Sequence, residues 1–494
     1  MAANQEADRT INKVAEIIFD QRILYVCIGF SALAVGLFFW DFYYLFLLPP
    51  IFFGTIIFLL RPDLIWYAIA LLTPLSINPN DVELGSLSLS MPAEPMLFLL
   101  VILLIYYLVS KKEIDTSIFT HPFSLLIYIY LFWMIITSMT SVDKLVSVKF
   151  FIAKCWFILP TYFFSFFFIK DENRIKIFLN LFIIGMSIVA LYNIVHLSTH
   201  NFEDKPSQWT MQPFFKDHAI LGAVLAIAIP VSFALIKLNG KNILTRNFFV
   251  FLTLILIVCL IFTYSRAAWV SIIPALLLYF VFKLRVKFRY LLALFLVVIF
   301  YLTYNIDTII RDLEQNKVSS SDDLIENFES ITNISSDPSN LERINRWSCA
   351  LAMWQAKPFL GWGPGTYMFE YAPFQLAHNY TIISTNFGDV GNAHSEYLGP
   401  LAESGVLGFL IFLLIFIMTF YYAFRVYYKA ILKNDKIYIS TAACALMTYF
   451  VHGIMNNYLD TDKASVIFWF LISVIIYFDI KYRKLKPKVI YEQQ

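Results

Sequence analysis

The first candidates in this chain for chemistry on a charged substrate lie in the polar interval between about Tyr304 and Tyr397. Arg343 and Arg346 are three residues apart, which places them on one face of a helix. Arginine keeps its charge and binds phosphate oxygens bidentately. The unperturbed pKa of a histidine such as His394 lies near neutrality, so that it can act as a general base. Taken singly, a pair of surface arginines or one histidine at a membrane interface is more often structural.

The elements that position these residues can be predicted from spacing. Residues 341–356 are predicted to form an amphipathic helix, because apolar residues recur three and four positions apart, at Leu341, Ile344, Trp347, Leu351 and Trp354. Ser339 and Glu342 are expected to form a capping box at its start, and Pro358 ends it. Gly361, Gly363 and Gly365 then predict a tight turn with exposed backbone amides.

The composition is that of a membrane protein with many spans. Hydrophobic residues make up 59% of the 494 residues, aromatic residues 18% and charged residues only 15%, a balance not seen in soluble domains of this length. Four of the five cysteines fall in apolar runs, so that the polar interval has no cysteine pair for a disulfide or metal site. The start of the chain lacks the features of a cleaved signal peptide.

A bilayer core requires about twenty apolar residues per helix. That length predicts fourteen spans, near residues 23–40, 43–60, 63–77, 93–110, 122–140, 148–169, 175–197, 218–237, 246–265, 267–283, 289–304, 398–424, 437–455 and 464–480. Three regions follow: spans in 1–304, a large loop in 305–396, and spans with a basic tail in 397–494. We therefore expect an all-α polytopic integral membrane protein with about 12–14 transmembrane helices.

The distribution of basic residues predicts the orientation. With a cytoplasmic N-terminus, 25 of the 37 lysines and arginines fall on the cytoplasmic side, as the positive-inside rule requires. The large loop, the turn at Arg266 and the segments 198–217 and 456–463 then face the periplasm. Residues 318–340, which are rich in Ser, Asp and Asn, are read as a solvated loop or a lid.

Four short motifs around the large loop resemble those of the O-antigen ligase and polymerase superfamily. They are the Ser265-Arg266 turn, Arg343 four residues before Trp347, the turn from Pro358 to Gly365, and His394 followed by Leu401-x-Glu403-x-Gly405-x-x-Gly408. They cover about residues 260–410. The first half of the chain matches only as a region with many spans.

The resemblance implies an enzyme of the bacterial inner membrane, with a GT-C-type architecture and an active site that faces the periplasm. It implies inverting transfer of a glycan from an undecaprenyl-pyrophosphate carrier to an acceptor hydroxyl, with no cofactor, metal or nucleic acid. His394 is then the expected general base, and Arg266, Arg343 and Arg346 the expected pyrophosphate ligands. The acceptor stays open: lipid A core, a second lipid-linked glycan, or a protein Ser or Thr. Membrane lipids are the other expected partners.

Several further polar residues are weaker candidates. Lys154 lies inside the end of its predicted span, where it either extends outward to the interface or binds phosphate. His218, Glu396, Glu403 and His452 are expected to line the cavity, with interfacial anchoring or helix capping as the plainer role. The spacing from His452 to Asp460 and Asp462 is no recognised metal-ligand spacing, so no metal site is predicted.

A transporter or lipid-linked glycan flippase is the alternative from another class, because fourteen spans are common among such proteins. Transporters usually place ionisable residues near the membrane midplane and often have repeated halves. Here the polar candidates cluster at one end of the spans. A peptidoglycan glycosyltransferase is a further alternative, for which Asp389 would have to supply the catalytic acid. The sequence does not choose between ligase, polymerase and protein oligosaccharyltransferase.

Overall fold

Helices make up most of the computed structural model, which describes residues 61–78, 89–110, 115–305, 338–376 and 391–484. Its longer helices, numbered in chain order, are α1 (Pro62–Leu75), α2 (Ala93–Val109), α3 (Pro122–Met139), α4 (Lys144–Ile158), α5 (Glu172–Ser198), α6 (His218–Leu238), α7 (Ile243–Ile261), α8 (Arg266–Lys283), α9 (Phe288–Tyr304), α10 (Pro338–Ala356), α11 (Leu398–Lys429), α12 (Lys433–His452) and α13 (Asp462–Lys484).

Eight segments in these ranges are long and apolar enough to cross a membrane: α3, α4 with its continuation to Phe168, α5, α6, α7, α8, α11 and α13. Shorter apolar helices are α1, α2 and the Phe288–Val298 part of α9. Helix α12 forms where the span 437–455 is predicted, but it is not among the eight. The predicted spans 23–40 and 43–60, and the 318–337 part of the predicted solvated loop or lid, lie outside the described residues. The protein is an all-α polytopic membrane protein, as the sequence predicts.

Side-chain caps explain where several helices begin. Asp217 accepts hydrogen bonds from the backbone amides of Ala219 and Ile220 at the start of α6. Asp143 caps α4 in the same way, through the amides of Leu145 and Val146. Such caps satisfy amides that have no partner within the helix. The cap at Asp217 fixes the start of α6, and with it the position of His218.

The described residues from Trp66 onward belong to one compact unit, in which α13 is central. Every residue of α13 from Asp462 to Ile476 is buried. Helix α6 packs against α7, α8 and α12, while α11 packs against α3, α10, α12 and α13. The starts of α6, α8 and α11 and the end of α12 therefore meet at one end of the helices.

Helix α4 changes its pitch partway along. After Ile158 it continues as a π-helical turn, Leu159–Phe164, and ends in Ser165–Phe168. Before the π-turn, Lys154 donates from Nζ to the carbonyl of Leu459 at 2.6 Å. After it, the indole nitrogen of Trp66 donates to Ser165 Oγ at 2.7 Å. Both halves of α4 are thus fixed to other parts of the bundle.

Candidate active site at one end of the helices

Helix α11 is interrupted at Gly405, and the chain at the glycine turn, Gly361–Gly365, packs against this interruption. Gly405 has φ 70° and ψ −171° inside α11, a conformation that only glycine adopts readily. A Cβ on Gly405 would lie 2.1 Å from the carbonyl oxygen of Phe359. Just past the break, the amide of Val406 donates to the carbonyl of Pro358 at 2.9 Å. The glycine turn and α11 therefore approach backbone to backbone.

The interruption of α11 leaves backbone carbonyls without helical partners, and amides of the glycine turn donate hydrogen bonds to them. The amide of Trp362 donates to the carbonyl of Ala402 at 3.1 Å, and that of Gly363 to Glu403 at 2.8 Å. A helix that stops leaves its last carbonyls without partners. The prediction that this turn exposes its amides is therefore wrong for these two residues, because the adjacent helix end uses them.

Helix α10 confirms the predicted helix 341–356 but buries a different face. The buried residues, three or one positions apart, are Glu342, Asn345, Arg346, Cys349, Ala350 and Met353. The predicted apolar stripe is therefore not the face that packs against protein, and its member Leu351 is 38% exposed, which leaves the predicted alternative that this face lies against the membrane. Beside a membrane, apolar side chains need no burial in protein, whereas the polar ones here bind one another. The described part of the helix starts at Pro338, and the capping box of Ser339 and Glu342 stays a prediction.

Arg346 is a buried member of an ion pair. Its Nε donates to Glu342 Oε1 at 2.5 Å, and its guanidinium lies 3.8 Å from the ring centroid of Tyr371. Gly391 closes the other side, since a Cβ there would stand 1.5 Å from Arg346 Nη1. That Nη1 has no hydrogen-bond partner among the described residues. Arg346 is thus not a surface arginine, and Glu342 already compensates its charge.

His394 is held by its backbone in an unusual conformation. Its φ of 46° lies in the left-handed region, which residues with a side chain adopt infrequently. The His394 amide donates to Asn392 Oδ1 at 3.0 Å, and Trp347 Nε1 donates to the His394 carbonyl at 3.3 Å. The second bond ties His394 to α10, and therefore to Arg343 one turn before Trp347.

The surroundings of His394 favour its neutral form. Burial lowers the pKa of His394 to about 4, and the positive charges of Arg343 and Arg346 contribute to the decrease. A hydrogen bond with Asn456 and the charge of Glu342 act in the opposite direction. A neutral imidazole can accept a proton, so that His394 is in the form that a general base requires.

Three predicted residues from other elements, Arg266, His218 and His452, interact with Arg343 or with one another. Arg343 interacts electrostatically with His218 at the start of α6 and with His452 at the end of α12. Arg266, the first residue of α8, interacts electrostatically with His218, and the ring of His452 lies near the backbone of Ala267. We call Arg266, Arg343, His394, His218 and His452 the arginine–histidine cluster.

The turn before α8 places Arg266 through close packing. Tyr264 has φ 52°, and its hydroxyl donates to the carbonyl of Phe202 at 2.6 Å. Helix α6 approaches this turn at Gly222, where a Cβ would lie 2.8 Å from the Cβ of Ser265. Glycine at position 222 thus lets α6 lie against the start of α8, and this contact brings His218 and Arg266 together.

The remaining predicted residues lie in a separate cavity of about 170 Å³. Lys154, Glu396 and Glu403 line it, together with Asp460 and five aromatic residues, Tyr130, Trp133, Phe150, Tyr367 and Phe412. Asn392, Ala393 and Ser395 contribute to its wall, but His394 is not among the described lining residues. The chain from 391 to 396 therefore separates this acidic cavity from the arginine–histidine cluster.

Lys154 is compensated inside the acidic cavity. It is 6% exposed, binds the carbonyl of Leu459, and interacts electrostatically with Glu396, Glu403 and Asp460. The alternative that Lys154 extends outward to the interface is therefore wrong. The interaction with three carboxyl groups offsets part of the desolvation cost of the buried cation.

Glu396 is fixed through one oxygen. Its Oε1 accepts hydrogen bonds from the Tyr449 hydroxyl at 2.5 Å and from the amides of Tyr458 and Leu459 at 2.8 Å each. Burial raises the pKa of Glu396, although Lys154 and these bonds oppose the increase. Glu396 thereby joins the chain before α11 to the segment between α12 and α13.

Sequence reasoning missed the partners that hold the site. The sequence predicts Glu342 as part of a capping box with Ser339, although its position four residues before Arg346 is a signal for an ion pair. Tyr371 and Gly391 approach Arg346 only through the fold, and nothing in their spacing indicates it. No group of three or more His, Cys, Asp or Glu residues in the described ranges could hold a metal ion.

The fold and the site define a multi-pass membrane protein with a cationic and histidine-containing cluster at one end of its helices. Residues 251–413 match the family model described as O-antigen ligase. The match supports the O-antigen ligase and polymerase superfamily, as the motifs predicted, and indicates a glycosyltransferase-like enzyme with lipid-linked glycan substrates. The matched region contains Arg266, Arg343, Arg346, His394 and Glu403. No curated protein matches the chain.

Proposed function

We propose that this protein transfers a glycan from an undecaprenyl-pyrophosphate donor to an acceptor hydroxyl at the periplasmic face of the inner membrane. The observation that carries the proposal is that Arg343 interacts electrostatically with His394, His218 and His452, and that Arg266 interacts with His218 in the same way. The donor supplies an anionic leaving group, which requires cations, and the acceptor supplies a hydroxyl, which requires a base. The arginine–histidine cluster contains both.

Arg266 and Arg343 would bind the pyrophosphate and stabilise the negative charge that develops as it leaves. They come from the start of α8 and from α10, so that the donor would lie between two elements. Arg346, which is paired with Glu342, would contribute through Nη1 and would otherwise keep α10 in place.

His394 would take the proton of the acceptor hydroxyl as its oxygen attacks the anomeric carbon. The bond from that carbon to the pyrophosphate oxygen breaks on the opposite side, so that the configuration inverts. The low pKa of His394 keeps it neutral before the donor binds. The negative charges of the donor would offset those of Arg343 and Arg346, and so raise the basicity of His394 when it is needed.

The acidic cavity supports a role in acceptor binding. Carboxylates and amides bind sugar hydroxyls, and its aromatic side chains offer apolar surface. Lipid A core is the acceptor that the family description favours. A second lipid-linked glycan or a protein Ser or Thr are the alternatives.

The test is a transfer assay with the purified protein in lipid nanodiscs. An undecaprenyl-pyrophosphate glycan is offered with core lipid, a second donor or a Ser-rich protein in turn. We expect transfer to one acceptor, and loss of at least about 100-fold in rate for His394→Ala and Arg343→Ala, as is typical when a base or an anion ligand is removed.

Arg246→Ala and His200→Gln are the matched controls, since both residues lie outside the cluster; they should transfer at the wild-type rate. Each variant must elute from size exclusion as the wild type does. Full transfer by His394→Ala would refute the mechanism. Absence of transfer to all three acceptors by the wild type would refute the proposed function.

A further inference from the structure

The side chain of Asn456 lies between two histidines of the cluster. It belongs to the segment between α12 and α13 and is 2% exposed. Its Nδ2 is 3.1 Å from His452 Nε2, and its side chain lies close enough to the ring of His394 to influence its protonation. The hydroxyl of Tyr458 reaches Asn456 Oδ1 at 3.4 Å. Asn456 therefore joins a residue at the end of α12 to one in the chain before α11.

An amide in this place determines where the ring protons lie. An asparagine side chain donates through nitrogen and accepts through oxygen, and it does not titrate. If Nδ2 donates to His452 Nε2, the proton of neutral His452 is on Nδ1, next to the backbone of Ala267. Asn456 Oδ1 then accepts the N–H of His394, so that the lone pair of His394 is on its other ring nitrogen.

We propose that Asn456 is a positioning residue that fixes the tautomer and the ring orientation of His394, so that the ring nitrogen with the lone pair faces the acceptor hydroxyl. This inference rests on the proposed function. In the reaction, the hydroxyl proton passes to that nitrogen, the oxygen bonds the anomeric carbon, and the pyrophosphate leaves with the bonding electrons. Asn456 Oδ1 keeps the second N–H throughout, and no further reactant is needed.

The charges around His394 explain why an amide suits this place. From α10 it faces Arg343, Arg346 and Glu342; from the segment after α12 it faces Asn456, whose amide also holds the ring of His452. Burial and the two cations, opposed by one carboxylate, leave His394 weakly basic. A carboxylate at position 456 would add a negative charge beside the ring and raise the pKa of His394, whereas the amide orients the ring without that change.

The test compares three substitutions in the same nanodisc assay across pH 4–8. Asn456→Ala removes both hydrogen bonds, and we expect kcat to fall by about 10- to 100-fold, as when the orienting partner of a functional histidine is lost, with little change in the KM for the donor. Asn456→Asp keeps an acceptor for the His394 N–H, and we expect its activity to exceed that of Asn456→Ala. The acid limb of its pH–activity profile should also move to higher pH.

His200→Gln is the control, because His200 lies outside the arginine–histidine cluster and packs against Trp209; the acid limb of its pH–activity profile should coincide with that of the wild type. The inference is overturned if Asn456→Ala keeps kcat within threefold of wild type, or if the acid limb of Asn456→Asp does not move. Loss of transfer by His394→Ala together with either result would overturn this inference alone. Full transfer by His394→Ala would instead refute the proposed mechanism.

Discussion

Replacement of Gly405 by alanine should separate α11 from the glycine turn. The cost has two sources. The φ of 70° and ψ of −171° belong to a region that costs a residue with a side chain about 1–3 kcal/mol. The new Cβ would also lie 2.1 Å from the carbonyl oxygen of Phe359, well inside van der Waals contact, so that one backbone must move by about an ångström.

That movement would strain three backbone hydrogen bonds across the break, made by the amides of Val406, Trp362 and Gly363. Each contributes about 0.5–1.5 kcal/mol. With the conformational cost, we expect Gly405→Ala to lower the free energy of unfolding by about 3–5 kcal/mol. Transfer should fall as well, since Glu403, which lines the acidic cavity, lies two residues before the break.

Gly399→Ala is the matched control on the same helix. Position 399 is helical, and a Cβ there would have its nearest neighbour at 3.9 Å, the Cβ of Ala393. Alanine has a higher helix propensity than glycine by about 1 kcal/mol, so this variant should be as stable as the wild type or more stable. Thermal unfolding in detergent, followed by tryptophan fluorescence, measures both. Equal midpoints for Gly405→Ala and Gly399→Ala would refute the reasoning.

Three other predictions concern charge. Glu342→Gln leaves the Arg346 cation buried without its carboxylate, and we expect a loss of about 3–5 kcal/mol in the unfolding free energy; a loss below 1 kcal/mol would show that the pair contributes little. Lys154→Met should also destabilise, and the added change Glu396→Gln should recover part of the loss, whereas strictly additive effects would contradict their coupling. The pKa of His394 is about 4 in the folded protein against 6.5 ordinarily, so the unfolded chain binds more protons between these values and stability falls as pH decreases from 6.5 to 4. His394→Gln should therefore lose less stability than the wild type between pH 7 and pH 5, and an identical loss would contradict the assignment.

The helices could largely be predicted from the sequence, because the length of a bilayer core limits where spans can lie. The predicted span 218–237 is α6, His218–Leu238, and 267–283 is α8, Arg266–Lys283. The start of each is set by a local signal, the cap at Asp217 and the turn at Ser265. Long apolar runs and caps are properties of neighbouring residues, which is why the sequence reveals them.

The site could be predicted only in part. Residue chemistry selected Arg343 and His394, and the structure brings them together. It did not indicate that Lys154 and Glu403 would line a different cavity, because that depends on which face of each helix turns inward. For α10 the sequence did not show which face packs against protein, since Glu342 and Arg346 form an ion pair and can be enclosed with it. The sequence did not indicate the break at Gly405, because the residues around it are compatible with a continuous helix.

The π-helical turn in α4 sets the rotational phase between the two ends of that helix. Each residue of an α-helix advances the chain by about 100°, and a π-turn accommodates one residue more than the α-helical pattern. Deletion of one residue between Leu159 and Phe164 would therefore turn Lys154 by about a quarter of a revolution relative to Ser165. Lys154 and Ser165 could no longer both reach Leu459 and Trp66, so the irregular turn is what allows α4 to serve the acidic cavity at one end and the bundle at the other.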